Sequence, residues 1–461
     1  MTARLGPFGA LAVALVVTAC SPAPTRPTAP KPSQTATVAM PAMKQFGAPN
    51  PTPPDRSNTE IGRDFIDLSL QLENGRDLPI FTRFEQPITI GLTGKLTPIF
   101  RQELDRLIGR LRREAGVNIR RTDTPATASI TVEAISQAQL QRVVPTAACF
   151  VLPQRISWDE FTRNTRRRDL NWTELKVRNA ATVFIPADVS PQEIRDCLHE
   201  EIAQALGPVN DLYRLDDSIF NDDNMRSVLT GFDMMILRAT YDPALRNGMT
   251  RQEVAAVLPP LLARINPRGE RIATRPYRPS PRDWVDAIEH ALSNGRRDPA
   301  RRRAAYKALD IARTEGWQDT RLGLSLLTVG RLAEADDGSL GLDAFFEAAD
   351  VYGQSPDTAI QAANVAIQIA AFALVAGEMD AAIRIANTNI PIAKKAENAA
   401  LMSDFLMVKA SALDAKGLTA QARSVWLDSY GWGRYGLRSD EVILGRAAEI
   451  AALVPTPQEG T

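Results

Sequence analysis

Residues 190–211, SPQEIRDCLHEEIAQALGPVND, form one amphipathic unit with both ends marked. Ser190 offers a capping hydroxyl, Pro191 suits the first helical position, and Glu193 stands three residues after the cap. Gly207-Pro208 marks the stop, because glycine accepts a left-handed end and proline cannot continue a helix. Upstream, the β-branched and aromatic run at 181–185 predicts a strand that feeds this helix. At about 100° per residue, Ile194, Leu198, Ile202, Ala205 and Leu206 make one apolar stripe. Glu200, Gln204 and Glu201 flank it, with Cys197 among them. Glu201 borders the stripe itself, where a carboxylate is costly unless it is paired or faces a cleft. His199 points roughly 100° away from the Glu200–Gln204 row.

Strand, EEIAQALGPVND, the SIFN stretch at 218–221 and the LTGFDMMILR stretch at 229–238 together resemble the second half of a metzincin-type zinc protease domain. That family carries HExxHxxGxxH, then a Met-turn and a C-terminal helix with an Asp. Aligned on Gly207, the resemblance puts Glu201 at the base, Glu200 and Gln204 at two histidine places and Asn210 at the third. Phe220 takes the place of the Met-turn residue, with Asp211 and Asp233 as supporting positions. The stretch also resembles an uncharacterised family of secreted bacterial proteins with an EExxQxLG…ND signature, over about residues 57–265.

The departures decide the expected chemistry. One carboxylate and two amides replace three imidazoles. Imidazole suits Zn²⁺, whereas amide oxygens are weak donors suited to hard cations. Without a bound cation nothing lowers the pKa of a water to about 7. The literal His199-Glu200 does not restore the motif, because Ala203 stands four residues after His199. The resemblance therefore implies a zincin-like domain without catalytic activity, with no metal and no cofactor.

The 461 residues allow two or three domains. Lys+Arg and Asp+Glu are both 54, and this balance argues against a binder of nucleic acid that works by neutralising phosphates. At the N-terminus, Arg4 precedes an apolar run at 8–17 that is shorter than a membrane span. VTAC at 17–20 then resembles a bacterial lipobox, which implies cleavage before Cys20 and lipidation on it. Several acyl chains, at about 0.8 kcal/mol per buried methylene, anchor a protein durably. Ser21 after the cysteine resembles outer-membrane sorting. Cys149 and Cys197 remain, and an oxidising compartment favours a disulfide between them. Closing that loop is worth about 4 kcal/mol on the chain-entropy model.

Residues 20–56 form a Pro/Thr-rich tether. A helix at 59–73, a strand at 87–92, an amphipathic helix at 100–115 and strands at 117–119, 128–132 and 148–152 precede the first quoted stretch. That order suits an α+β domain over 57–265 with helices packed on a sheet. The loop at 153–176, with its Arg166-Arg167-Arg168 run, Trp158 and Trp172, is a solvated surface loop or a grip for an anionic ligand. The Asp-rich stretches at 216–217 and 221–223 lack EF-hand spacing and suit caps and turns. His290 is expected on the surface or in the core, because two histidines cannot build a three-His site.

A Pro/Arg-rich linker, 266–298, leads to helices only, over 299–455. Gly377 and Gly417 are each followed five residues later by an alanine, Ala382 and Ala422, between Ala- and Leu-rich helices. This resembles degenerate tetratricopeptide repeats, whose usual period is about 34 residues. A stack of hairpins offers a surface for a peptide or protein. The aromatic SYGWGRYG stretch at 429–436 is expected either to expose binding residues or to close the stack. The expected protein is a lipid-anchored envelope protein on the periplasmic face of the outer membrane. Its silent zincin-like domain is joined to a helical domain that binds an envelope protein or peptide. The alternative is a hydrolase of peptides or cell-wall polymer with Glu201 as general base.

Overall fold

The computed structural model describes residues 40–49, 51–293, 298–333 and 338–455. Cys20 and the lipobox lie outside the described residues. An N-terminal α/β region is followed by an all-helical region.

The α/β region opens with helix α1 (Asn58–Leu70), which Ser57 and Glu60 start with a reciprocal capping box. Strand β1 (Ile88–Gly94), helix α2 (Pro98–Glu114), and strands β2 (Ile119–Arg121) and β3 (Ile130–Ile135) follow. Next come helix α3 (Gln137–Val143), strand β4 (Phe150–Leu152), helix α4 (Trp158–Arg163), strand β5 (Ala181–Pro186) and helix α5 (Pro191–Leu206). Helices α6 (Gly231–Thr240) and α7 (Arg251–Ile265) complete it.

The five strands lie in the order β2-β1-β3-β5-β4. All pairs are parallel except β4 with β5. The region is therefore α/β, with helical crossovers between parallel strands, rather than the segregated α+β arrangement expected. Parallel strands need such crossovers, and these cover both faces of the sheet. Every residue of β5 is buried. Ala181, Val183 and Ile185 join the main core with α1, α2, α5, α6 and α7, while Phe184 faces Trp158, Phe161 and Leu140 in a second, smaller core. Trp158 is thus a core residue, and the 153–176 segment is only partly the exposed loop expected.

The linker is strapped across α1: Arg275 pairs with Glu60 at 2.6 Å and the Tyr277 hydroxyl donates to Asp67 at 2.8 Å. The helical region then runs α8 (Arg282–Leu292), α9 (Pro299–Thr314), α10 (Thr320–Leu332), α11 (Gly338–Tyr352), α12 (Ala359–Val375), α13 (Met379–Lys395), α14 (Ala399–Ala415), α15 (Thr419–Gly436) and α16 (Asp440–Ala451). Sequential helices pack on one another, and α14 also touches α12 and α16, so the arrangement is a stack of hairpins. The 356–375 stretch, which includes α12, is long and apolar enough to cross a membrane, yet half of it is buried inside the stack.

The repeated turns have a common cause. Gly316, Gly377 and Gly417 take left-handed φ values of 64°, 76° and 73°. At each, the next backbone N–H reaches a carbonyl five residues back: Trp317 to Ala312, Glu378 to Ala373, Leu418 to Leu413. Ala382 and Ala422 are fully buried, as close helix approach requires. The turn before α14 repeats this geometry with Glu397 at φ 55°, a conformation that costs a non-glycine residue about 1 kcal/mol.

One edge of the stack lies against the α/β region. Gln192 of α5 accepts from the Ala399 and Ala400 N–H groups at 2.7 and 3.1 Å, capping α14. Arg195, 2% exposed, donates to the Glu397 carbonyl at 2.8 Å. Gln361 of α12 donates to Asp223 at 3.2 Å, and Tyr435 of α15 to Glu103 at 3.0 Å. Helix α15 runs through the glycine-rich stretch to Gly436, where a Cβ would lie 2.3 Å from the Ala400 nitrogen. Trp432 and Tyr435 are therefore core residues, packed on Phe46 at the end of the tether.

Candidate functional site

Helix α5 begins as its sequence dictates: the Ser190 side chain accepts from the Glu193 N–H. Its end differs from expectation. Gly207 has φ 179°, which is extended backbone and not left-handed. Glycine is required instead by a close approach, since a Cβ there would lie 2.8 Å from Thr240 Cγ2 of α6. The last carbonyls of α5 are held by Arg178, 2% exposed. Its Nη1 donates to Gln204 and Ala205 at 3.0 and 2.8 Å, and its Nη2 to Gly207 at 3.2 Å. A cation at a helix C-terminus also complements the helix dipole. Sequence reasoning missed Arg178, because nothing local ties residue 178 to a helix end more than twenty-five positions on.

A disulfide joins Cys149 at the edge of β4 to Cys197 of α5, across 48 residues. It holds Cys149 beside Glu200 and Glu201, and one ligand-type atom from each of the three lies within 4.8 Å of the others. Cys149 is thereby a wall of the site and no longer a thiolate donor.

The residues at the histidine places have other partners. Gln204 donates to Asp211 Oδ2 at 3.1 Å. Asn210, 2% exposed, donates to the Asp67 carbonyl at 2.9 Å and so ties the loop after α5 to α1. His199 is buried, and its Nδ1 accepts from the Leu229 N–H at 3.0 Å. Burial, with Arg110 and Arg195 nearby, pushes its pKa well below the usual histidine value. It is a neutral acceptor that orders the turn before α6. Asp233 is fully buried and accepts from the Ile219 and Thr230 N–H groups at 3.2 and 2.7 Å and from Ser218 Oγ. It fixes the loop that carries Phe220, itself fully buried.

Carboxyl groups crowd what remains. Glu201 is 4% exposed, and its Oε2 has no hydrogen-bond partner. Burial raises its pKa well above the carboxylate range, and Glu200 and Glu73 add to the shift. Burial, then Asp222 and Glu73, pushes Glu200 up to about 8. Asp211 is raised well above the range, by burial and then by Glu200, Glu73, Asp222 and Glu201. Its Oδ1 is buried without a partner. Asp222 accepts from the Tyr213 hydroxyl at 3.1 Å. Sequence reasoning placed Glu200, Glu201 and Asp211 together, read Asp222 as part of an Asp-rich turn, and did not single out Glu73 or Tyr213, which only the tertiary fold brings to the same place.

Asp211, Glu73, Asp222 and Tyr213 line a cleft of about 480 Å³ between the two regions, whose far wall includes Tyr277, Arg282 and Glu289. His290 is exposed on α8 outside that wall. A second, open hollow of about 520 Å³ lies beside Arg168, Lys176 and Val177. There Arg167 is paired with Asp169 and Arg168 lies 3.7 Å from Glu174, so the arginine run is largely self-neutralised.

Residues 58–260 match the family described as "Protein of unknown function (DUF2927)". That span covers α1 to most of α7, and so contains the carboxyl cluster. No curated protein and no solved structure matches the chain.

Proposed function

We propose that this is a non-catalytic binding protein of the bacterial cell envelope, anchored by lipid on Cys20, with a zincin-like core and a tetratricopeptide-like stack. One observation carries the silent-core reading. The side chains at the histidine places are engaged with the protein itself, Gln204 with Asp211 and Asn210 with the Asp67 carbonyl. Imidazole is absent from the site, since His199 serves the Leu229 N–H. An envelope protein or peptide would dock on the faces of the stack that the α/β region leaves open.

The reading is tested by incubating the purified chain with a peptide library and with cell-wall polymer. The expected result is no cleavage, with Glu201→Gln indistinguishable from the parent. Cleavage abolished by Glu201→Gln would establish the second reading, a hydrolase using Glu201 as base. That reading draws on the unpartnered Glu201 Oε2 and on the raised pKa that burial gives the group, features found in general bases. Anchoring is tested separately, because Cys20→Ala should move the chain from the membrane to the soluble fraction.

A further inference from the structure

We propose that residues 272–277 are a lid on the cleft, fixed at both ends and released by salt. The segment RIATRPYRPSPR at 271–282 joins the two regions, and residues 272–281 take no helical or strand form. Tyr277, Pro279, Ser280 and Arg282 belong to the cleft wall. Pro276, Pro279 and Pro281 restrict φ, so the chain stays extended whether or not it touches anything.

Buried groups fix the two ends. Before the lid, Asn58 and Asn266 are both 7% exposed. Asn266 Nδ2 donates to Asn58 Oδ1 at 2.9 Å, and Asn58 Nδ2 to the Asn266 carbonyl at 3.1 Å. After the lid, Arg321, 1% exposed, donates to the Arg278 carbonyl at 2.9 Å and to Ser280 Oγ at 3.3 Å. Pulling either end away would leave buried donors unpaired, which is costly.

The middle is held differently. Thr274 Oγ1 lies 2.9 Å from Ser57 Oγ, Arg275 pairs with Glu60 at 2.6 Å, and Arg63 donates to the Arg275 carbonyl at 3.2 Å. The Tyr277 hydroxyl donates to Asp67 at 2.8 Å, and its ring lies 5.7 and 5.4 Å from the Arg63 and Arg214 guanidinium groups. The Arg275 side chain is 53% exposed and Tyr277 47%. Exposed charged contacts contribute little and weaken with salt.

Lifting the lid also leaves the acids beneath it partnered. Glu60 keeps the Ser57 N–H at 3.2 Å and the Ser57 hydroxyl at 2.9 Å, and Asp67 keeps Arg214 at 2.8 Å. The middle can therefore leave α1 at small cost, while the ends cannot move. With the lid raised, the cleft opens along α1 as a groove. This inference stands whether or not the α/β region cleaves anything.

The test uses the full chain with Cys20→Ala, so that Cys149 and Cys197, joined in the disulfide, are the remaining native cysteines. Nitroxide labels are placed through Ala273→Cys on the lid and Ala256→Cys on α7. Their separation is read by pulsed electron resonance in 0.01 M and 1 M sodium chloride, between which the Debye length falls from about 30 Å to about 3 Å. Expected is a main distance and a minor, longer one whose share grows about fivefold at high salt, the factor that one exposed pair supplies. Arg275→Ala combined with Tyr277→Ala should raise that share similarly at low salt. Arg271→Cys, labelled in place of Ala273→Cys, should keep its distance throughout, because it lies next to the fixed end. Ala256, Arg271, Ala273, Arg275 and Tyr277 are all exposed, so these substitutions leave the core untouched. The proposal is overturned by a distance that neither salt nor the double variant changes, or by an equal shift of the label at residue 271.

Discussion

The α/β region buries two groups of carboxylates and treats them in opposite ways. In the first, Arg56, 5% exposed, is bound by Asp64, Asp216 and Asp217, and Arg214 by Asp64 and Asp67. Burial raises the pKa of Asp64, and the two arginines offset only part of the rise. In the second, burial and neighbouring carboxylates raise the pKa values of Glu200, Glu201 and Asp211, and no cation offsets them. Buried charges are ordinarily paired or bound to a metal. The first group follows that rule within the chain and so is structural. The second breaks it beside the cleft that Asp211 and Glu73 line.

The largest effect should come from breaking the paired group. Arg56→Ala leaves three carboxylates without their shared cation and should cost about 3–5 kcal/mol of stability, read from denaturant unfolding. A loss below about 1 kcal/mol would mean that the contrast between the groups is not energetic. Next in size is the disulfide, which walls only the second group. Replacing Cys149 and Cys197 by serine should cost about 2–4 kcal/mol. It should leave the arginine-paired group intact.

The pH dependence reports on the unpaired group. The folded state keeps a proton on Glu200 up to about 8, whereas the unfolded chain releases it near the ordinary value of 4.5. Between those values the folded state binds more protons, so stability falls as pH rises. Glu200→Gln should flatten that slope and gain up to about 4 kcal/mol at pH 8. A stability that climbs from pH 5 to pH 8 would contradict the unpaired state of the second group.

A smaller effect lies at the junction between the regions. Glu397→Gly relieves a left-handed backbone by about 1 kcal/mol but removes the carboxylate 3.6 Å from Arg195. The net change should stay within about 1 kcal/mol. The Arg195 contact to the Glu397 carbonyl should survive, because it uses the backbone.

What could be read in the sequence was local. The Ser190 cap, the helices after residue 298 and the glycine turns at 377 and 417 follow from neighbours within one helical turn, and the structure places them within a few residues of expectation. Glu201 stood out because a carboxylate beside an apolar stripe needs a reason. Long-range pairings were not legible. Arg56 and Arg178 find their partners more than twenty-five residues away, except for Asp64, and Glu73 reaches the site only through the fold. Gly207 was placed correctly for the wrong cause: the close approach of Thr240 requires it, and not a left-handed φ. The 429–436 stretch has turn-like composition, yet its glycines lie in a helix because α14 and the tether approach closely.

The most direct test of the silent-core claim is the metal content of the full chain, purified without added metal and measured by elemental mass spectrometry. Expected is far less than one zinc per chain. One tightly held zinc per chain, lost in Gln204→Ala, would contradict it.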